Sequence, residues 1–234
     1  MFIGHFGAAF AAKKISPRPS LGTLIMASQF IDLLWPLFLL LGIEHVEIDP
    51  GNTAFTPLHF IHYPFTHSVV GVLFWAVLFG GVYYARRRDV RSAVLLGGLV
   101  LSHWLLDLIV HAPDLPLLPG GDVFVGLGLW NSIGATLVVE GVIFTAGLVV
   151  YIRTMSSEGA RRNGKLWSLV AFLLVVYVMN VFGPPPPAAD AIGYVGLSMW
   201  LLVAWGYWVE RETGARMRAR ALSPSSWHGA STSS

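Results

Sequence analysis

The chain has 234 residues, of which 55% are hydrophobic and 12% charged, with a net charge of +2. An average soluble domain carries about a quarter of its residues as charges, so so little charge excludes a water-covered globule of this size and points to lipid as the solvent. The small net charge offers no basic field for nucleic acid. The absence of cysteine excludes disulfides and thiolate sites, so any metal must be held by His, Asp, Glu or carbonyl oxygen.

In chain order, residues 2–12 (FIGHFGAAFAA) are apolar but too short to span. They read either as an interfacial helix or as a half-helix dipping in from the cytoplasmic face, with Gly4 and Gly7 allowing close packing. Lys13 and Lys14 follow this stretch, the reverse of the order in a cleavable signal. Six spanning helices are predicted, at about 21–43, 67–85, 92–111, 131–152, 166–183 and 190–209. Pro36 lacks an N–H, which predicts a kink in the first span and a freed carbonyl at Asp32. Residues 44–66 form the longest loop, with turn signals at Pro50-Gly51 and Pro57. Pro184 to Pro187 end the fifth span. The bundle is predicted to occupy 1–212, followed by a disordered cytoplasmic tail over 213–234 whose His228 carries no function. No internal repeat is visible to support an inverted-repeat transporter.

The loops set the orientation. All 15 Lys and Arg fall before the first span, between the second and third, between the fourth and fifth, or after the sixth. Glu44, Glu47, Asp49, Asp114, Asp122 and Asp190 fall on the other side, with no Lys or Arg. This positive-inside asymmetry predicts both ends in the cytoplasm. The expected fold is all-α, a polytopic bundle of about six membrane helices plus the short N-terminal half- or interfacial helix.

Several polar residues fall inside the spans, where an ionisable group costs roughly 2.5–3.5 kcal/mol on insertion scales. Asp32, Asp107 and Glu140 have no Lys or Arg at their depth, leaving His, protons or a metal as partners. Counting from the basic ends at about 1.5 Å per residue puts Asp32 and His103 at ~18 Å, Glu140 at ~20 Å, Asp107 at ~24 Å, His67 at ~28 Å and His111 at ~30 Å. A half-helix would lift His5 to ~12 Å, toward the same group. His103, Asp107 and His111 follow i, i+4, i+8 spacing and share one helix face, where two such side chains can chelate one ion. His111 also fits an interfacial histidine facing water, and Glu140, with Asn131 and Ser132 on its helix, also fits a protonated, hydrogen-bonded acid. His45 and His59 read as ordinary loop residues, and the interfacial Trp residues as membrane anchors.

The motifs Gly4-His5, Ile31-Asp32, HYPFTHS at His62 to Ser68, and Ser102-His103 with Asp107 followed by PDLPLLPG resemble those of the YdjM-like family of bacterial inner-membrane proteins, regarded as metal-dependent hydrolases. The resemblance covers roughly residues 1–120. Two departures stand out. Phe30 and Leu33 stand where the family's second motif has Asp and His, and Tyr63-Pro64 replaces Arg-Gly in the third. The missing ligands imply a one-metal site, a relative that has lost catalysis, or recruitment of Glu140, His111 or His62.

The resemblance implies a multi-pass protein of the bacterial cytoplasmic (inner) membrane. Its ligand set would be His5, Asp32, His67, His103 and Asp107, with His111 as a further candidate. Such mixed imidazole and carboxylate donors suit zinc, and also manganese or iron. Glu140 or His62 would act as general base or orient a ligand, and Thr66 and Ser68 would hydrogen-bond ligands or substrate. The expected substrate is a phosphoester or lipid-like amphiphile reached from the extracytoplasmic side, with membrane lipid as the surrounding partner. Two other classes fit the same residues: an ion- or proton-coupled transporter using Asp32, Asp107 and Glu140 as a relay, and a non-catalytic scaffold with a closed, structural metal site. Gly97-Gly98 and Gly126-x-Gly128 would pack helices within one chain or between chains, so the oligomeric state stays open.

Overall fold

The structure is a computed structural model that describes residues 1–155 and 163–221, with side chains described through residue 210. The helices are α1 (Ile3–Ile15), α2 (Leu21–Ser28), α3 (Phe30–Leu40), α4 (Pro64–His67), α5 (Val69–Arg87), α6 (Val90–Val110), α7 (Ile133–Thr154), α8 (Gly164–Phe182), α9 (Ala189–Leu197) and α10 (Met199–Ala221). Two small antiparallel hairpins, β1 (His45–Ile48) with β2 (Leu58–His62) and β3 (Leu115–Pro116) with β4 (Phe124–Val125), lie in stretches that the sequence read as loop.

Five of the ten helix starts have their own N-cap side chain on the first free amides. Ser20 caps α2, Ser68 α5, Asp89 α6, Ser132 α7 and Asn163 α8. Among the described residues, α5, α6, α7, α8 and the run Ala189–Glu210 are long and apolar enough to cross a membrane, and α2 with α3 form a further, broken span. Their outward faces are apolar: Phe74 and Val77 of α5 are 60% and 75% exposed. In water that surface would be a liability; in lipid it is the ordinary exterior.

The loops that carry the basic residues gather at one end of the bundle. Lys13 pairs with Glu210 at 2.6 Å, Arg18 with Asp89 at 3.1 Å, the Ser16 and Ser92 hydroxyls meet at 2.8 Å, and Asn163 donates to the Val209 carbonyl at 3.1 Å. These contacts tie the α1–α2 connection to the α5–α6 connection, and α1 and the start of α8 to the middle of α10, at one end of the bundle, as the charge asymmetry of the loops requires. The final helix runs on to Ala221, past the expected bundle boundary at 212. The remainder of the expected tail, 222–234, lies outside the described residues.

One local reading is corrected, and one left between two alternatives is decided. The first span bends by 56°, but at Gln29 and not at Pro36, which lies inside α3 with its ring against Gly196 of α9. Of the two readings of the N-terminal helix, the half-helix fits and the interfacial helix does not. Nine of its 13 residues are buried, and it runs up inside the bundle along α7 from the basic end. Gly7 and Gly147 make that approach feasible: a Cβ on Gly147 would lie 2.0 Å from the Gly7 carbonyl oxygen.

Opposite the basic end, β1 and β2 form a roof. Val46 packs with Trp35, Tyr63 and Leu115 in a small second core. Phe60 faces Trp35 at 5.5 Å and His111 at 4.8 Å between ring centres.

Candidate metal centre

Five polar side chains from four helices converge beneath this roof. His5 comes from the first turn of α1, Asp32 from the first turn of α3, His67 from the end of α4, and His103 and Asp107 from α6. All but Asp32 are at most 3% exposed, and the Asp32 side chain is 25% exposed. Their ligating atoms form two groups, His5–His103–Asp107 and Asp32–His67–His103, each close enough to share one ion, with His103 in both.

The i, i+4 spacing on α6 puts His103 Nε2 3.1 Å from Asp107 Oδ2, and the same nitrogen is 3.5 Å from Asp32 Oδ1. His67 Nε2 is 3.6 Å from Asp32 Oδ1 and 3.9 Å from Asp107 Oδ2. His5 stacks on His103 with ring centres 3.8 Å apart, and its Nε2 lies 3.1 Å from Asp107 Oδ1. The chain's amino group at Met1 also contacts Asp107 Oδ1, a cationic partner that counting only Lys and Arg overlooks.

The break at Gln29 explains two members of the group. It starts a new helix, so the Asp32 carboxylate sits in the first turn of α3, where the helix dipole favours an anion. It also turns the Ser28 carbonyl out of the helix ladder to accept from His103 Nδ1 at 2.8 Å. Beside the backbone oxygen that Pro36 frees at Asp32, a second one is therefore freed at Ser28, and it orients a ligand instead of serving as one.

A second orienting chain was not legible as such. Glu44, counted in the sequence as an outer-loop charge, is 1% exposed. Its Oε1 accepts the amides of Phe65 and Thr66 at 2.8 and 2.9 Å, which clamps the start of α4. Its Oε2 accepts the Thr66 hydroxyl at 2.7 Å, and the same hydroxyl oxygen then accepts from His67 Nδ1 at 2.7 Å. Thr66 was anticipated as a hydrogen-bonding residue; Glu44 behind it was not, because it lies 22 positions upstream.

These bonds fix tautomers. A carbonyl or an already-donating hydroxyl can only accept, so His103 and His67 each carry their proton on Nδ1. Their Nε2 lone pairs then face carboxylate oxygens, and His103 Nε2 is a buried atom with no hydrogen-bond partner among the described residues. Lone pairs crowded against carboxylates in a dry interior repel unless a proton or a cation lies among them. Imidazoles held through Nδ1 with Nε2 presented inward are how proteins prepare metal ligands. The donor set therefore fits a divalent ion in either group, Asp32–His67–His103 or His5–His103–Asp107, with His103 common to both.

Three other candidates lie outside these groups. Glu140 is 0% exposed and caps α1: its Oε2 accepts the amides of Phe2 at 2.9 Å and Gly4 at 3.2 Å. His111 caps the end of α6 and donates through Nδ1 to Asp114 Oδ1 at 2.9 Å, with its ring 6.4 Å from that of His67. Burial pushes the His111 imidazole below its ordinary value, which keeps it neutral. Tyr63 donates to the same Asp114 oxygen at 3.0 Å, and burial with that carboxylate beside it pushes its phenol up. His62 is exposed on the hairpin and faces His45.

A family model described as YdjM inner membrane protein matches residues 3–185, well beyond the first half in which the motifs were visible. The chain belongs to the YdjM inner membrane protein family. No curated protein and no solved structure matches it. Family membership and the apolar helices together make it a multi-pass inner membrane protein. The match spans all five converging residues and ends before α9 and α10.

Proposed function

We propose that this YdjM family member is a membrane-embedded, metal-dependent hydrolase that acts on a phosphoester or similar bond of an amphiphile from the extracytoplasmic side. The observation that carries the reading is the pair of imidazoles, His67 and His103, whose Nδ1 protons are engaged by Thr66 and Ser28 while both Nε2 atoms face Asp32 and Asp107. A divalent ion of the zinc class held there, or manganese or iron, supplies an activated water and a Lewis acid for a phosphoryl or acyl oxygen.

The chain's own groups have complementary tasks. Asp32, the partly exposed member, marks where a substrate reaches the group. Trp35, Phe60 and Trp130 close the roof and exclude bulk water. Tyr63 and His111 converge on Asp114 beside that roof and hold protons near the approach. The positive-inside asymmetry of the loops supports reading this end as the one outside the cytoplasm. Toward the basic end the interior is a dry plug that includes Phe10, Leu24, Leu96, Val100 and Phe144, all at most 3% exposed. Such a plug supports a one-sided enzyme over a relay that must cross the membrane.

The test is elemental analysis of purified protein, wild type beside His103→Ala and Asp107→Ala. Wild type is expected to hold metal and both variants to lose it. Metal content near zero in all three would end the proposal. Where metal is held, hydrolysis of generic phosphoesters and lipid substrates separates an enzyme from a scaffold whose metal is structural.

A further inference from the structure

The hairpin β1–β2 has two chemically different faces. Its inner side, through Val46 and Phe60, packs on Trp35 and Tyr63 over the buried centre. Its outer side carries His45, Glu47, His59 and His62, all exposed. Pairing sets His45 opposite His62 and Glu47 opposite His59. Positions 59 and 62 differ in parity, so a regular strand would send them to opposite faces. The register shift between His45 and Val46 offsets this, and such a bulge re-aims a side chain.

As a result the His45 and His62 rings stand 6.2 Å apart between centres, tilted by 54°. A zinc-class ion bonds imidazole nitrogen at about 2.0–2.1 Å, so one ion placed between these rings reaches a nitrogen of each with modest side-chain rotation. Exposure lets water complete the coordination. Stability of the fold does not call for this arrangement: two imidazoles set opposite each other repel when protonated, and neither has a hydrogen bond among the described residues. Glu47, on the same strand as His45, adds negative charge beside the pair.

We propose that the outer face of this hairpin is a surface site for a borderline divalent cation, Zn2+ or Cu2+, with His45 and His62 as ligands and Glu47 and His59 flanking them. His62 lies five residues before His67, so the site sits on the segment that leads directly into the buried group. A cation held there is concentrated at the roof of the centre. The site does not depend on the centre having activity.

The experiment uses the full chain in nanodiscs of zwitterionic lipid. Zn2+ binding is counted by equilibrium dialysis, and Cu2+ coordination is read by electron paramagnetic resonance. Wild type is expected to take one ion more than the variant carrying His45→Gln and His62→Gln, and its exposed Cu2+ is expected to show coupling to two imidazole nitrogens. Asp107→Asn is expected to keep this ion even where the buried group loses its own, so the two proposals fail separately. An unchanged ion count and an unchanged Cu2+ spectrum in the double variant would overturn the assignment. So would loss of the same ion in His59→Gln with the His45–His62 pair intact.

Discussion

Thr66→Val isolates the orienting chain from the metal ligands themselves. Valine keeps the branched shape but removes the hydroxyl that receives His67 Nδ1–H at 2.7 Å and donates to Glu44 Oε2 at 2.7 Å. Both partners are buried, at 3% and 1% exposure, so neither recovers its bond from water. Glu44 still accepts the Phe65 and Thr66 amides through Oε1, which leaves α4 anchored. The principal loss is therefore the acceptor for His67, a buried donor left unsatisfied at a cost of about 1–3 kcal/mol. Loss of a group that orients a metal-bound histidine typically lowers metal affinity 10–100-fold, and at about 1.4 kcal/mol per tenfold the two routes agree. Zinc dialysis against a competing chelator measures the change, with circular dichroism confirming that the helices persist. Thr66→Ser, which restores the hydroxyl, is expected to bind near wild type. Wild-type affinity in Thr66→Val would refute the reasoning, as would an equal loss in Thr66→Ser.

Gly147→Leu is expected to force α1 off α7 and abolish a stable fold, because its Cβ meets the Gly7 carbonyl at 2.0 Å, whereas Gly141→Ala, with nothing within 4 Å, is expected to be neutral; melting of the detergent-solubilised proteins distinguishes them. Glu140→Leu removes the acceptor of the Phe2 and Gly4 amides and is expected to expose α1 to limited proteolysis at Lys13 and Lys14, while Glu140→Gln, which keeps one acceptor oxygen, is expected to resist cleavage. Lys13→Met removes the cationic partner of the half-buried Glu210 at 2.6 Å and the donor to the Pro19 carbonyl at 2.7 Å, and is expected to destabilise the protein by about 1–3 kcal/mol, the usual cost of a hydrogen-bonded charged group losing its partner; denaturant unfolding measures it. Asp89 is held below the ordinary carboxylate range by the Ser92 hydroxyl first and by Arg18. Its contribution is complete above the unfolded carboxylate value of about 3.9 and is lost as pH falls through the lower folded value, so an acid melt is expected to lose this component in wild type and not in Asp89→Asn.

The spans from α5 to α8 were legible because composition alone decides them: each is a long apolar run whose ends carry basic residues or turn formers. The first span and its being bent were legible too, but the place of the bend was not. Its bend falls at Gln29, which is neither Pro nor Gly, and is held by tertiary bonds such as that of Ser28 to His103. The hairpin was hidden in a loop because its strands are short and their polar residues do not alternate cleanly across the bulge. Of the candidate site, His103 and Asp107 could be read from spacing on one helix, and Asp32 and His67 from depth and motif. Their convergence required the fold. Glu44 was invisible because an acid in an outer loop looks like any solvated charge until its burial is known.

The seating of α1 carries a consequence for biogenesis. His5 is synthesised well ahead of the Glu140 carboxylate that receives its helix and the Gly147 surface against which it lies, which come about 135 residues later (140 less 5). At ~5–20 residues per second, that is a wait of ~7–27 s. Through that interval α1 has its α2 and α6 neighbours but lacks the α7 surface along which most of its packing runs. Closing the bundle is then a late docking event, and crowding of nascent chains at the translocation machinery would penalise this step before any other.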